Sequence, residues 1–237
     1  MIPKNRMASA VAGLTVLLQI APIGWAAQTF PLDSTIGLQP HKVTVEAVTY
    51  RNRKAIRVMP LPEEDAAWVA ARMTGEGGGI VVLPNATFHD GTIEVDLAGK
   101  PRAGAPAEAR RFVGVAFRVT GGASKYECFY IRPTNGRAED QVRRNHSAQY
   151  ISIPDYEWLR LRKESSAQYE SYVDLAPGEW TKIKVQVSGA QARLYVNGSP
   201  QPVLVVNDLK LRDSKGAVAL WIGGGTEAYF TNLRISG

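Results

Sequence analysis

Between residues 118 and 180 the chain gathers side chains able to do chemistry. The run 126–132 (YECFYIR) alternates, so Tyr126, Cys128, Tyr130 and Arg132 share one face of a strand. Glu127, Phe129 and Ile131 take the other. Two phenols and a guanidinium in one line are unusual for a pure core face. Downstream stand Arg143, Arg144, His146, Gln149 and Tyr150, then Tyr156, Trp158, Tyr169, Glu170 and Tyr172. Aromatic faces stack on the apolar side of sugar rings, and Arg, Glu and amide groups bond ring hydroxyls in planar, bidentate fashion. His146, Glu127 and Glu170 are the groups here that can take or give a proton. Arg118, Arg132 and Arg144 are cations suited to a developing oxyanion or a substrate carboxylate. With Tyr130, Gln149, Tyr150, Trp158 and Trp221 they form the expected binding set for a carbohydrate.

The elements that must position these groups read as strands. Ile93, Val95 and Leu97 alternate with polar residues, as do Ile183, Val185 and Val187, then Leu194 and Val196, and more weakly Val43, Val45 and Ala47. Turn signals such as Arg51-Asn52, Asp90-Gly91, Gly121-Gly122 and Asn197-Gly198 separate them. One helix is expected over 63–73, ended by the glycines at 75–79, and 99–109 reads as a flexible loop. Two runs, 112–119 (FVGVAFRV) and 217–222 (AVALWI), are apolar on both faces and so covered on both sides. In each, one face is bulky and reads as core. The other carries Phe112, Gly114, Ala116 and Arg118, or Ala217, Ala219 and Trp221, and reads as the floor of a shallow groove. Loops folded over those faces would explain the small residues equally well. Trp180 reads as core.

Composition sets the outer limits. The chain has 237 residues, 28 Lys+Arg against 22 Asp+Glu and a single cysteine. One cysteine excludes an intrachain disulfide and any zinc site built on several thiolates. Lys4 and Arg6 followed by the apolar run 7–25 and Gly24-Trp25-Ala26 read as a signal peptide, 1–26, cleaved after Ala26. Residues 27–237 then form one domain, secreted or periplasmic, with no membrane association after cleavage. The mild net charge and the export signal argue against nucleic acid as a partner. No phosphate-cradling glycine loop, nucleophile elbow or His-Glu-x-x-His motif is present.

The order of the blocks FVGVAFRV, KYECFYIRPTN, RRNHSAQYISIPDYEWLRLR, YESYVDLAPGEWTKIKVQVSGAQARLYVNG and GAVALWIGGGTEAYFTNLRI resembles the concanavalin A-like lectin/glucanase superfamily. Within it the blocks resemble the 3-keto-disaccharide hydrolase-type domain, over roughly residues 88–236 and more loosely from about 40. The resemblance implies an all-β jelly-roll sandwich of two antiparallel sheets, about a dozen strands, with the ligand on the concave sheet. Calcium is an option, since lectin-like sandwiches often hold it near loop carboxylates; no other cofactor and no metal ligand set is implied. Glucanases of the superfamily carry Glu-x-Asp-x-x-Glu on one strand. Here Glu94 and Asp96 are followed by Gly99, so the second catalytic Glu is missing and a retaining glucanase is not expected. Glu94 and Asp96 read instead as the solvent face of a strand.

The keto-sugar route needs different groups. A 3-keto group acidifies the neighbouring C–H, so one base, one acid for the leaving oxygen and a cation near the enolate suffice. His146, Glu127 and Glu170 are the candidates for base and acid. Three readings stand: a carbohydrate-recognising domain, an enzyme acting on 3-keto-disaccharides or related glycosides, and a periplasmic interaction protein without a glycan ligand.

Overall fold

The computed structural model describes residues 26–70, 78–105 and 111–237. Along the chain run β1 (Gln28–Phe30), β2 (Gln39–His41), β3 (Val43–Tyr50), β4 (Arg53–Pro60), α1 (Pro62–Ala70), β5 (Gly78–Phe88), β6 (Gly91–Pro101), β7 (Val113–Thr120) and β8 (Lys125–Ile131). Then follow α2 (Gln141–Asn145), β9 (Ala148–Ile153), α3 (Trp158–Glu164), β10 (Glu170–Ser171), β11 (Thr181–Ser188), β12 (Gln191–Val196), β13 (Leu204–Val206), β14 (Gly216–Gly223) and β15 (Thr226–Ser236). They form two antiparallel sheets. The eight-stranded sheet has the order β13-β12-β11-β6-β15-β4-β3, with β1 paired to β15; the seven-stranded sheet has the order β10-β9-β8-β7-β14-β5-β2. The architecture is the expected jelly-roll sandwich. The strands beyond the expected dozen are pieces of two or three residues, too short to show a period.

Alternation decides what each face meets. In the eight-stranded sheet Ile93, Val95, Leu97, Ile183, Val185 and Leu194 are buried while Lys182 and Gln186 face solvent. They meet Val113, Val115, Phe117, Phe129, Leu220 and Ile222 of the seven-stranded sheet across the core. Phe117 stacks on Phe129 and meets Phe88 edge-on. Each such side chain contributes about 1.5–3 kcal/mol of apolar burial. The hairpins turn where the sequence signals them: Arg51 and Asn52, and Asn197 and Gly198, all have positive φ, as tight two-residue hairpins require.

Several expectations shift. The helix spans Pro62–Ala70, and residues 71–77 lie outside the described residues. Gly99 to Pro101, expected in a loop, extend β6, paired to β15; residues 106–110 lie outside the described residues. Trp180 is not core: it is half-buried on the outer face of the eight-stranded sheet, under the Arg53 guanidinium and edge-on to Tyr50. Asp96, on that same outer face, is engaged by Arg53 and Asn232. The expected leader lies outside the described residues except for Ala26. Among the described residues no helix is long and apolar enough to cross a membrane.

Candidate functional site

The outer face of the seven-stranded sheet carries one row of polar groups. Register places Tyr130 of β8 opposite Gln149 of β9, and Gln149 opposite Glu170 of β10, so all three share that face. Arg132, just past β8, donates to Tyr130 Oη (2.9 Å), Gln149 Oε1 (3.1 Å) and the carbonyl of His146 (2.7 Å). Arg132, Tyr130 and Gln149 are almost wholly buried. They form the foundation of the row rather than its surface.

The accessible chemistry sits above it. His146 closes α2 as its C-terminal cap, and its Nε2 lies 3.1 Å from Glu170 Oε1. Arg162 of α3 grips the same carboxylate with two bonds, Nε to Oε1 at 3.0 Å and Nη2 to Oε2 at 2.6 Å. Its guanidinium also lies 4.7 Å from the centre of the Trp158 ring. Glu170 is buried, whereas His146 and Arg162 keep 22% and 32% of their side chains exposed. A buried carboxylate held by a cation, orienting a partly exposed imidazole, is the arrangement of a base and its orienter. Arg144 stands at the rim, bonded to Tyr172 Oη at 3.1 Å and stacked over that ring.

Further along the same face is a cavity of about 540 Å³. Ile80, Tyr126, Ile153 and Trp221 line it from the sheet. Its walls come from His41, the Lys42–Glu64 ion pair, turn 122–124 and Glu157. Trp221 covers the small residues of β7, and at Gly114 the neighbouring strand itself leaves no room for a side chain: a Cβ there would collide with the Phe129 carbonyl oxygen and Tyr130 Cα. From β14 the Trp221 ring crosses β7 to stack on Tyr130 of β8, centroids 4.7 Å apart, and its Nε1 donates to Tyr126 Oη at 3.1 Å. It therefore lies over Gly114 and Ala116. The notch expected to admit a ligand is filled by Trp221, whose far edge lines the cavity.

Three expected site residues lie elsewhere. Arg118 sits in a β-bulge with φ +55°, which turns its side chain off the Gly114–Ala116 face. It is fully buried and ties together the carbonyls of His89, Gly189 and Arg212 and the carboxylate of Asp90, pinning the β5–β6 and β11–β12 turns. Glu127 and Tyr150 face the interior between the sheets, because Glu127 pairs with Ser152 and Tyr150 with Phe129 on the core side of the register. Glu127 accepts from Tyr150 Oη and from the backbone N–H of Leu211 (2.6 Å), while Tyr150 Oη accepts from the N–H of Lys210 (2.9 Å). Burial pushes the Glu127 carboxyl above the usual carboxylate range, against the bonds from Tyr150, Leu211 and Ser152 and the charge of Arg118. Burial, then the nearby Glu127, push the Tyr150 phenol up. These groups anchor loop 207–213 to the sandwich and do not face a ligand. Sequence reasoning passed over Arg162, set within an apparently unremarkable basic run, and the cavity residues His41, Ile80 and Glu157. Among the described residues no three His, Cys, Asp or Glu side chains gather in a group able to hold a metal ion.

In structure the chain is similar to the carbohydrate-binding module CBM66 from Bacillus subtilis, with TM-score 0.54 and 14% identity over 84% of this chain and 95% of that one. It is similar too to a Bacillus subtilis protein of unknown function with a galectin-like fold, at TM-score 0.55 and 11% identity over 88% and 94%. At these identities the likeness is one of fold. A search of curated proteins returns no match. Residues 62–236 match the family described as 3-keto-alpha-glucoside-1,2-lyase-like domain. That match runs from α1 to the end of β15, and the chain belongs to this family.

Proposed function

We propose that this chain binds glycosides on the outer face of its seven-stranded sheet and cleaves those carrying a 3-keto group by 1,2-elimination. The observation that carries the reading is the His146–Glu170–Arg162 chain, a partly exposed imidazole oriented by a buried, clamped carboxylate. With Nε2–H donated to Glu170, the His146 lone pair sits on Nδ1, and the neutral ring is a base. It takes the proton from C2, next to the 3-keto carbon. The C–H electrons form the enolate of C2 and C3, with negative charge on the keto oxygen. Arg144 and Arg162 are the nearby cations suited to that charge. The enolate then re-forms the ketone, a double bond forms between C1 and C2, and the C1–oxygen bond breaks. The leaving oxygen takes a proton from the imidazolium, which returns the ring to its starting state. The leader read over 1–26 supports placing this activity outside the cytoplasm, in the periplasm or the medium.

A second reading, glycan binding without turnover, is favoured by the aromatic floor of the cavity, which needs no proton chemistry to hold a sugar ring. One experiment separates the two. The purified chain is incubated with ordinary and 3-keto disaccharides, and products are followed by mass spectrometry. The elimination reading expects cleavage of the keto sugars alone, lost in His146→Ala. Intact keto sugars, with binding retained, would support the second reading.

A further inference from the structure

We propose that Asn135 and Arg132 are positioning residues for the reaction: from the two ends of one turn they hold the backbone carbonyl of His146, and so aim its imidazole. This rests on the elimination reading above, in which His146 is the base. Glu170 fixes the ring at Nε2. The direction of the Nδ1 lone pair also depends on where the His146 backbone sits, so the base has to be held from both ends.

Apolar packing does not supply the second hold. His146 caps α2, a helix of five residues with no buried side chain, and Val142 within it is largely exposed. So short a helix is marginal by itself, and polar bonds must fix its place. Two of them converge on the cap residue. The His146 carbonyl oxygen accepts from Arg132 Nη1 at 2.7 Å and from Asn135 Nδ2 at 3.1 Å. A carbonyl oxygen has two lone pairs, so both bonds form at once.

The sequence builds this donor pair locally. Arg132-Pro133-Thr134-Asn135 is a β-turn closed by the bond from the Asn135 N–H to the Arg132 carbonyl, 2.9 Å. Pro133 stands second in it, where a proline ring presets φ. Both donors are almost wholly buried. Arg132 is seated by its bonds to Tyr130 and Gln149, and its guanidinium lies 5.1 Å from the centre of the Phe112 ring. Asn135 is seated by Arg143 of α2, whose Nε donates to Asn135 Oδ1 at 3.0 Å and whose Nη2 donates to the Thr134 carbonyl at 2.9 Å. The helix grips the turn that holds its own C-terminal cap. Removing the Asn135 amide takes one donor from the His146 carbonyl and one acceptor from Arg143. A loosened ring spends less time aligned with the C2 proton, which lowers kcat rather than raising KM.

The test is a double-mutant cycle on turnover of a 3-keto disaccharide, with folding of each variant checked by urea unfolding. Asn135→Ala should lower kcat about 10- to 100-fold and leave KM within about twofold, the scale of a misplaced catalytic group. In a His146→Ala background the same substitution should change the residual rate by no more than about twofold, because no ring is left to aim. Arg143→Met, at a partly exposed position, should lower kcat by about 3- to 10-fold, and it stands in for Asn135→Ala should that variant not fold. An unchanged kcat in folded Asn135→Ala, or in Arg143→Met where it stands in, would overturn the proposal. A loss of equal size with and without the His146 ring would also overturn it, since the turn would then serve stability alone. Full activity in His146→Ala, or no turnover by the unaltered chain, would instead remove the elimination reading itself.

Discussion

Replacing Glu127 by Gln should change how stability depends on pH. The carboxyl is fully buried between the sheets, and burial raises its pKa. The folded chain therefore keeps this proton at pH values where the unfolded chain has lost it. The stability it contributes is complete below the unfolded carboxyl's pKa, about 4.3, and is lost as pH rises through the raised native value. Within that window one extra proton in the native state costs up to about 1.4 kcal/mol per pH unit. Gln is of similar size, can accept from the Leu211 N–H and does not titrate. Urea unfolding of both chains, in unit steps from about pH 4 to about pH 8, reads the difference directly. The variant should gain on the wild type as pH rises, by up to about 1.4 kcal/mol per unit, and the gain should level off above the native pKa. A difference that stays constant over the whole range would refute the assignment of Glu127 as a buried, proton-holding anchor. Glu127→Ala should behave otherwise: it strands the Leu211 N–H and the Tyr150 hydroxyl, at about 1–3 kcal/mol each, at every pH.

Other expectations follow from the same contacts. Arg118→Met leaves the carbonyls of His89, Gly189 and Arg212 without their donor and should cost at least about 3 kcal/mol in chemical denaturation, with faster hydrogen exchange in the β5–β6 and β11–β12 turns. Trp221→Phe loses the bond to Tyr126 and should lower stability by about 1–2 kcal/mol while weakening binding of the sugar in the cavity by calorimetry. His146→Ala, at a partly exposed position, should leave the unfolding midpoint nearly unchanged and lower turnover of 3-keto glycosides by about 10²–10⁴-fold.

Much of this architecture was legible because a strand with one buried face must alternate. β6, β11 and β12 announce themselves that way, and the doubly apolar runs 112–119 and 217–222 fall at the centre of their sheet as they must. The parity of run 126–132 also placed Glu127 opposite Tyr130, which in the fold means inside. Arg118 was not legible. Its position depends on a bulge, and a bulge breaks the period of two without leaving a mark in residue type. Gly114 and Ala116 read as room above β7, yet small residues do not say what they make room for: at Gly114 it is the backbone of β8, and the notch above is filled by the chain's own Trp221. Arg162 was hidden for another reason: its partner Glu170 sits on an edge strand of two residues, eight positions away through a turn. Pairings of that kind are set by tertiary packing, not by local spacing.

The most direct test follows the proton at C2. A 3-keto glucoside deuterated at C2 is given to the unaltered chain and to His146→Ala, and release of the leaving group and loss of deuterium are measured together. The account predicts a primary isotope effect, one deuterium lost per bond cleaved, and both processes slowed together in the variant. Cleavage that retains the C2 deuterium, or that proceeds undiminished without His146, would contradict it.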